Sequence, residues 1–185
     1  NKINQKYIDI CKFNKLNSAI KEISPDIVFH LAAQPLVRES YEKTIETFNT
    51  NVIGTLNVLE SCKNLDTNVN FICITTDKCY ENNEFGERFI ESDPMGGKDP
   101  YSASKACTEI LTKSHALSFN SLKLCTARAG NIIGGGDWAK DRIVTDIVES
   151  IEHKRDIVLR SPNAIRPWQH VIDVVNGYLK LAIYN

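Results

Sequence analysis

Short apolar runs alternate with segments of helical periodicity along this 185-residue chain. The runs at residues 27–30, 69–75, 122–127 and 157–159 predict strands, and residues 7–9 read as the end of an earlier one. Apolar or small residues at helical spacing predict helices over residues 14–23, 39–63, 100–119, 143–151 and 171–184. Because parallel strands need a crossover connection, this alternation predicts an α/β fold with a doubly wound parallel sheet.

The bulk composition argues against several kinds of partner. The formal net charge is −1, so nothing predicts binding to nucleic acid or to an anionic membrane. We see no signal peptide and no apolar run of bilayer length, and we expect a cytoplasmic protein. The six cysteines have no CxxC spacing. We interpret them as reduced thiols and assign no metal, a structural metal site being the alternative.

Tyr101 and Lys105 lie four residues apart in the predicted helix over residues 100–119, hence one turn apart on one face. An ammonium beside a phenol favours the phenolate and lowers a pKa that is about 10 in water. The pair is suited to take a proton from an alcohol, and an oxidised nicotinamide stacked nearby would take the hydride. Tyr-x-x-x-Lys arises often by chance, so its context decides its weight.

That context is the triplet Thr76-Asp77-Lys78, which follows the predicted strand over residues 69–75. An acid and a base on one loop at a strand's carboxyl end can act on neighbouring atoms of one substrate. Long polar loops over residues 81–99 and 130–142 follow two of the strands, and loops of that length are usually functional. The alternative is an exposed ion pair that caps the strand, which the downstream Tyr101 and Lys105 make less favoured.

Three segments are candidates for contact with a dinucleotide. The strand at residues 27–30 runs into Leu31, Ala32 and Ala33, where small residues let a dinucleotide lie against the backbone. Tight packing of a helix on the strand is the alternative. Asn51 is in mid-helix, where Asn is unfavourable, and could orient the backbone around the catalytic lysine or simply be solvated. Asp9, beside Ile10, could accept hydrogen bonds from an adenine amine or be an ordinary loop residue.

The segment after residue 127 carries candidate substrate ligands. Asn131 follows the third strand and could bond a sugar hydroxyl or carbonyl, and Arg142 ends the glycine-rich loop. Arg160 and Arg166 bracket a short stretch, and two neighbouring guanidinium groups suit a diphosphate. Surface salt bridges are the alternative for these arginines. We interpret His170 as a packed strand residue rather than a metal ligand.

Taken together, these motifs resemble the extended short-chain dehydrogenase/reductase family, with its NAD-dependent epimerases and dehydratases. The Tyr101-x-x-x-Lys105 pattern, the segment from His30 to Ala33 and Asn51 carry the family resemblance. Longer stretches look like the CDP-glucose 4,6-dehydratase subfamily, namely residues 33–38, 76–80, 93–97, 99–102, 128–138 and 165–171. The resemblance implies a Rossmann-like NAD-binding domain over residues 1–185, incomplete at both ends, with a substrate-binding region starting near residue 130.

The resemblance also implies a reaction, the dehydration of CDP-glucose to CDP-4-keto-6-deoxyglucose by a hydro-lyase that uses NAD. Tyr101 takes the proton of the hydroxyl on carbon 4 while NAD takes the hydride, which later returns to carbon 6. Lys78 removes the proton on carbon 5, and protonated Asp77 assists the hydroxyl leaving carbon 6. Burial under a bound sugar would favour the neutral forms of both side chains. Thr76 bonds the oxygen on carbon 4, and Lys105 holds the nicotinamide ribose and lowers the pKa of Tyr101.

The residues that this resemblance assigns fall into three groups. The catalytic group is Thr76, Asp77, Lys78, Tyr101 and Lys105. The cofactor group is Asp9, Ile10, Leu31, Ala32, Ala33, Asn51, Tyr101 and Lys105. The substrate group is Asn131, Arg142, Arg160 and Arg166.

Other functions remain open at this point. A Thr-Asp-Lys triplet also resembles the inverting UDP-N-acetylglucosamine dehydratases, although Met95-Gly96-Gly97 and Trp168-Gln169-His170 argue against them. A sugar epimerase would not need Asp77 and Lys78. A non-catalytic dinucleotide-binding protein usually lacks the tyrosine or the lysine, and here both are present.

The chain departs from the family pattern at its ends. The glycine-rich phosphate loop and the C-terminal substrate region are absent, the stretch over residues 114–124 looks short, and no initiator methionine begins the chain. We therefore expect a piece of a longer protein. In the usual strand order, the strand at residues 27–30 neighbours the missing first strand and has an unpaired apolar edge. We expect this piece alone to be marginally stable and to bind NAD weakly, and the full-length protein to form a homodimer or tetramer. The dimer would pair the helices starting near Glu39 and Pro100 as a four-helix bundle.

Overall fold

A three-stranded parallel sheet lies at the centre of the fold. The computed structural model describes residues 3–83, 86 and 88–184. The strands β1 (Ile27–His30), β2 (Val69–Thr76) and β3 (Leu122–Ala129) are hydrogen-bonded in the order β1-β2-β3. Both strand pairs are parallel, with Ile27 opposite Asn70 and Val69 opposite Leu122. The predicted α/β fold with a parallel sheet is confirmed.

Seven α-helices connect and cover the strands in the described residues. They are α1 (Phe13–Ile23), α2 (Val37–Glu42), α3 (Thr44–Phe48), α4 (Gly54–Lys63), α5 (Pro100–Ser118), α6 (Ile143–Glu152) and α7 (Val171–Tyr184). A second small parallel sheet pairs β4 (Asn131–Ile133) with β5 (Trp168–His170). The bounds predicted for α1, α5, α6 and α7 differ from these by at most one residue, because each of these helices carries a clear apolar period.

The hydrophobic core lies between β2 and the helices α1 and α4. Its fully buried side chains include Leu59, Cys62, Phe71 and Cys73. Burial of such a side chain contributes about 1.5–3 kcal/mol to stability. The opposite face of the sheet meets α7, since the side-chain amide of Asn70 donates to the carbonyl of Ala182 at 3.0 Å. Helices therefore cover both faces, which is the doubly wound arrangement that was predicted.

The predicted continuous helix over residues 39–63 is wrong, because the segment is interrupted twice. Lys43, with φ −120° and ψ 51°, separates α2 from α3, and a π-helical turn, Asn49–Ile53, joins α3 to α4. The Thr44 hydroxyl bonds the Ser40 carbonyl at 2.9 Å and so competes with the regular helical pattern. Single π turns are frequent at functional sites, and this one contains Asn51.

Two predicted strands do not form. Residues 157–159 and residues 7–9 have irregular backbone, and β4 and β5, which periodicity did not reveal, form instead. A strand persists only where a neighbour satisfies its backbone groups, and the described residues give neither segment such a neighbour. His170 does lie in a strand, as predicted, but its side chain is exposed rather than packed.

β1 lies at the edge of the sheet within the described residues. It pairs with β2 only, and Ile27 is 43% exposed. The unpaired apolar edge expected from the strand order is therefore present. The low stability and weak NAD binding expected of this stretch of chain remain predictions.

Candidate active site

The carboxyl end of β2 and the start of α5 bring the triplet and the tyrosine together. Thr76 is the last residue of β2, and residues Asp77–Cys79 form one 3₁₀ turn directly after it. The Thr76 hydroxyl accepts from the Lys78 N–H at 3.3 Å and donates to Asp77 Oδ1 at 3.1 Å. Lys78 Nζ lies 5.9 Å from the centre of the Tyr101 ring. One short turn thus holds a carboxyl group and an amine beside a phenol.

Several contacts hold Tyr101 at the first turn of α5. Asp99 caps the helix, since its Oδ1 accepts from the Ser102 N–H at 2.9 Å and its Oδ2 from the Ser102 hydroxyl at 2.6 Å. The Ser40 hydroxyl accepts from the Tyr101 N–H at 3.1 Å. Gly97, with φ 140°, passes so close to Ala103 that a side chain would not fit. The backbone of the helix turn that carries Tyr101 is therefore fixed by the loop before α5 and by α2.

The pKa of Tyr101 is raised, contrary to the prediction. Burial of the phenol is the largest cause, and its hydrogen bond with Thr76 opposes it. Lys105 is not among the main causes of this shift, and its ammonium donates to the backbone carbonyl of Ile74 at 3.1 Å. The expectation that Lys105 lowers the pKa of Tyr101 is wrong for this arrangement.

Lys105 is a buried amine. It is one of the buried residues of α5 and is only 7% exposed. Burial lowers the pKa of Lys105. The Ile74 carbonyl accepts one of its three N–H bonds, so the ammonium retains donors for a ligand.

Lys78 has a pKa that is lowered, in the direction a catalytic base requires. Desolvation is the largest cause, Asp77 opposes it, and the charges of Arg166 and Arg142 add to it. Because the Lys78 side chain keeps contact with water, solvent screening limits this effect. Two of the three arginines predicted to bind substrate thus lie near enough to Lys78 to act on it electrostatically.

Asn51 is buried and hydrogen-bonded, so the interpretation of a solvated asparagine is wrong. Its Oδ1 accepts from the Gln34 N–H at 2.8 Å, and its Nδ2 donates to the Gln34 carbonyl at 3.1 Å and to the Ser104 hydroxyl at 2.8 Å. It therefore ties the loop after β1 to α5. The other interpretation, that Asn51 orients the backbone around Lys105, stays a prediction, since the backbone groups that Asn51 binds are those of Gln34.

The segments predicted to meet a dinucleotide have different surroundings. Leu31 and Ala32 are exposed at the carboxyl end of β1, and Ala33 is half-buried. Asp9 is exposed in the turn before α1, where its Oδ1 accepts from the Cys11 N–H at 2.9 Å. The Ile10 carbonyl accepts from the Asn57 side chain at 2.9 Å. Residues 9–10 and 31–33 thus lie in connecting segments rather than inside helices.

A cavity of about 370 Å³ unites Lys78 with the predicted substrate ligands. Its lining includes Asn131, Arg142, Arg160 and Arg166. The side chains of residues 157–159, predicted to form a strand, line the same cavity. The cavity therefore places an amine, three guanidinium groups and a side-chain amide around one volume.

The three arginines of this cavity differ in their contacts. Arg160 donates to Asp141 Oδ1 at 2.6 Å and to Asp146 Oδ2 at 2.8 Å, which is the salt-bridge alternative for this residue. Arg166 bonds the carbonyl of Ile165 at 3.1 Å, and Arg142 lies 3.8 Å from Asp137. Arg142 and Arg166 are thus held less tightly by neighbouring groups than Arg160 is.

Sequence reasoning missed the polar residues that support the site from behind. They are Gln34, Ser40, Tyr80, Ser104, Glu109 and Arg128, all with hydrogen bonds to site elements. A signal existed for Glu109, which follows Lys105 by four residues and so continues its face of α5. The others depend on long-range contacts that no spacing reveals.

The part of the chain that the structure describes has neither a membrane-spanning helix nor a cluster of metal-binding side chains. None of its helices combines the length and the apolar character needed to span a bilayer. Across residues 3–83, 86 and 88–184, no group of three or more His, Cys, Asp or Glu side chains is arranged to hold a metal ion.

Comparison with known proteins identifies the family of the chain. Residues 1–183 match the profile of the NAD dependent epimerase/dehydratase family. The chain is 48% identical over 182 residues to CDP-glucose 4,6-dehydratase of Salmonella typhimurium, covering 94% of this chain and 51% of that enzyme. It is 31% identical over 184 residues to dTDP-glucose 4,6-dehydratase of Haemophilus influenzae, covering 94% and 54%.

A solved structure agrees with the fold. UDP-glucose 4-epimerase of Thermus thermophilus, in complex with NAD, superposes with a TM-score of 0.84 at 27% identity. The match covers 96% of this chain and 59% of that one. The chain spans about half the length of the curated relatives it matches.

Proposed function

The chain belongs to the NAD dependent epimerase/dehydratase family, and from this premise we propose that its full-length protein is an NAD-dependent nucleotide-sugar 4,6-dehydratase. One observation carries the choice of dehydration over epimerisation. Asp77 and Lys78 share a single turn, with Lys78 Nζ 5.9 Å from the centre of the Tyr101 ring. Epimerisation needs only oxidation and reduction at one carbon, whereas loss of water also needs an acid and a base on adjacent carbons.

The residues around β1 and α5 fit a dinucleotide. Leu31 and Ala32 are exposed at the carboxyl end of β1 and leave its backbone accessible. The Asn51 side chain fixes the next part of the loop by accepting from the Gln34 N–H. The buried ammonium of Lys105 has donors that the Ile74 carbonyl does not occupy. Leu31, Ala32, Ala33, Tyr101 and Lys105 would hold the nicotinamide half of NAD.

Asp9 and Ile10 are proposed for the adenine half. When bound, the nicotinamide supplies the redox chemistry, accepting a hydride from sugar carbon 4 and returning it to carbon 6.

The chain's own residues handle the protons. Tyr101, as phenolate, takes the proton of the hydroxyl on carbon 4, and Thr76 bonds the same oxygen. The resulting carbonyl acidifies the proton on carbon 5, which the neutral amine of Lys78 removes. Asp77 gives a proton to the hydroxyl that leaves carbon 6, so that water departs. Lys78 then returns a proton to carbon 5.

Exchange with solvent restores the phenolate of Tyr101 and the acid form of Asp77. The net change in the sugar is the loss of one water.

Proton transfer at Tyr101 requires its raised pKa to fall when the site is occupied. The phenol hydrogen-bonds to Thr76, whose hydroxyl already favours the ionised form. The positive charge of an oxidised nicotinamide bound near Tyr101 would act in the same direction. We therefore assign the activation of Tyr101 to Thr76 and the bound cofactor rather than to Lys105 alone.

For the substrate we propose CDP-glucose. The 48% identity to the Salmonella enzyme supports this sugar nucleotide. Arg142 and Arg166 line the cavity beside Lys78 and are proposed to bind the diphosphate, with Asn131 on a sugar hydroxyl. Arg160 would join them by exchanging its carboxylate partners for phosphate oxygens.

We also propose a homodimer formed through α2, α3 and α5. Tyr41, Ile45, Ile110 and Leu117 are large apolar side chains exposed on these helices. Sedimentation of the full-length protein should show a dimer that Ile45→Glu weakens, whereas Ile3→Glu, at another exposed site, should leave it intact. A monomeric wild-type protein would refute the proposal.

We propose a cytoplasmic location for the protein. Its six free cysteines suit a reducing compartment.

The test of function is turnover by the full-length protein with NAD and CDP-glucose in D₂O. We expect a 4-keto-6-deoxy sugar with deuterium on carbon 5. Lys78→Met should slow product formation by about 10²–10⁴-fold and abolish deuterium uptake, whereas Lys180→Met, on the exposed face of α7, should not. Turnover of UDP-N-acetylglucosamine instead would move the assignment to the inverting dehydratases. An inverted carbon 4 without water loss would indicate an epimerase, and silence with both sugars a non-catalytic protein.

A further inference from the structure

A buried ion pair lies behind the site, outside the cavity that contains Lys78. Glu109, in α5, is only 4% exposed. Its Oε2 accepts from Arg128 Nη2 at 2.8 Å and from the Thr126 hydroxyl at 2.9 Å, and its Oε1 accepts from the Thr75 hydroxyl. A buried carboxylate is costly unless it is paired and hydrogen-bonded. These contacts satisfy Glu109 and link α5 to both β2 and β3.

Arg128 extends the link to the far end of the catalytic turn. Its Nη1 donates to the Tyr80 hydroxyl at 2.9 Å and to the Glu91 carbonyl at 3.0 Å. The Tyr80 ring stacks on Phe89 at 4.6 Å between centroids. The Tyr80 backbone also forms a bridge with Met95. Three contacts therefore hold Tyr80, and the one with Arg128 is the contact to a charged group.

The contacts of this ion pair fall on either side of the residues proposed for catalysis. Thr75 immediately precedes Thr76, and Tyr80 follows Lys78 by two residues. Glu109 thus anchors the turn where it begins, and Arg128 anchors it where it ends. Neither Glu109 nor Arg128 is among the described residues that line the cavity around Lys78, so neither is placed to touch the sugar there.

The start of α5 has separate supports. Asp99 and Ser40 fix the first turn that carries Tyr101, and the Ile74 carbonyl receives Lys105. Loss of the Arg128 contact to Tyr80 would therefore shift Lys78 relative to Tyr101 without releasing Tyr101. The acid–base pair depends on the ion pair more than the phenol does.

We propose that Glu109 and Arg128 are positioning residues that hold the Asp77-Lys78 turn in register with Tyr101 for the elimination step. This rests on the proposed dehydratase function. Oxidation at carbon 4 needs Tyr101 and the cofactor, whereas removal of the carbon 5 proton needs Lys78 as well. Weakening the link should therefore slow elimination while oxidation continues, so that reduced nicotinamide and the 4-keto sugar accumulate during a turnover.

The mildest test variant is Tyr80→Phe, which removes only the hydroxyl that accepts from Arg128. Arg128→Lys keeps the positive charge but lacks the planar guanidinium group, whose separate nitrogens donate to Glu109 and to Tyr80. In the full-length protein we expect kcat to fall about 3–10-fold for Tyr80→Phe and about 10–100-fold for Arg128→Lys, with KM for the sugar within about 3-fold. Reduced-nicotinamide absorbance in a single turnover should last longer in both. Matched controls are Tyr184→Phe and Arg155→Lys at exposed positions.

A measurement without substrate separates this proposal from the assigned reaction. Amide hydrogen exchange over residues 76–80 should be faster in Tyr80→Phe than in wild type, with exchange at the start of α5 unchanged. If the wild-type protein turns over no sugar nucleotide, the proposed function fails. The comparison of amide exchange still tests whether Arg128 and Tyr80 hold the turn over residues 76–80. Unchanged exchange over residues 76–80 would overturn the positioning role. So would kcat losses that merely follow the loss of folded protein, with no rise in reduced nicotinamide.

Where Arg128→Lys does not fold, a neutral pair of similar volume serves in its place. Glu109→Gln combined with Arg128→Met leaves no unpaired buried charge. We expect it to fold and to show the same accumulation of reduced nicotinamide as Tyr80→Phe. Normal kinetics in this folded double variant would overturn the proposal.

Discussion

The side chain of Asn51 binds both backbone polar groups of Gln34, accepting from its N–H at 2.8 Å and donating to its carbonyl at 3.1 Å. This paired contact holds the loop after β1, and the bond from Asn51 to Ser104 extends it to the helix of Tyr101 and Lys105. It depends on the π turn that separates α3 from α4. A local irregularity in one helix therefore sets the relative positions of two site elements.

Asn51→Ala should lower the free energy of unfolding of the full-length protein by about 2–4 kcal/mol, because it leaves buried donors and acceptors unsatisfied. NAD affinity should fall as well, since the loop at Leu31 and Ala32 loses its support. Denaturant titration and cofactor titration measure the two effects. Asn64→Ala, at an exposed position, should change neither; a wild-type stability for Asn51→Ala would contradict the structural role.

Gly97→Ala should destabilise the protein by about 2–4 kcal/mol and reduce turnover. A Cβ at Gly97 would collide with the backbone nitrogen of Ala103, and φ is 140°. Because the obstacle is the backbone of α5, relief would move the turn that carries Tyr101. Gly135→Ala is the matched control, since a Cβ there meets nothing within 4 Å. Equal unfolding free energies for the two variants would show that this close approach is not required.

His30 should make the fold sensitive to acid between about pH 6.5 and pH 4. Burial is the main cause that lowers the pKa of His30 from 6.5 to about 4, and the charge of Lys105 adds to it. The unfolded chain therefore binds a proton at a higher pH than the folded chain, so stability is lost as the pH falls through this window. The loss should reach about 3 kcal/mol.

His30→Gln keeps a polar partner for the Thr55 hydroxyl, which lies 2.8 Å from His30 Nε2, but does not titrate. Its unfolding free energy should vary less with pH over the same range. His153→Gln, at an exposed site, should retain the wild-type slope. A His30→Gln slope equal to that of wild type would assign the acid sensitivity to other groups.

Lys105→Met should change the pH dependence of stability on the alkaline side. Burial lowers the pKa of Lys105 from 10.5, so the unfolded chain binds more protons than the folded chain between the lowered value and 10.5. Wild-type stability gains from this residue as the pH rises through that window, and Lys105→Met lacks the gain. When the free energy of unfolding is measured at about pH 7 and at about pH 10, the value for wild type should increase relative to that for Lys105→Met.

The same experiment on Lys113→Met, an exposed lysine of α5, should give a constant difference from wild type. Parallel curves for Lys105→Met and wild type would mean that the buried amine is not destabilising in its charged form. Lys105→Met should also lose turnover, because it removes the donor proposed for the nicotinamide ribose.

Much of the fold was predictable because it rests on local periodicity. The bounds of β1 and α7 agree with the sequence patterns, and β2 and β3 extend only slightly beyond theirs. The joining of Thr76, Asp77 and Lys78 with Tyr101 was also predictable, since α5 is the helix that follows β2 and begins near the carboxyl end of that strand. The segment over residues 157–159 shows the limit of this reasoning, because its apolar run lines a cavity instead of pairing with a strand.

The sequence by itself determined the alternation of strands and helices, the parallel sheet and the residues that meet at its carboxyl edge, since these follow from side-chain spacing along one segment. Only the tertiary structure decided which groups are buried and which polar atoms meet across distant segments. Burial reversed the expected direction of the Tyr101 pKa, and the contacts of Glu109 with Arg128 and of Asn51 with Gln34 join residues far apart in the chain. Desolvation and hydrogen-bond geometry depend on all surrounding atoms at once, so no pattern within one segment specifies them.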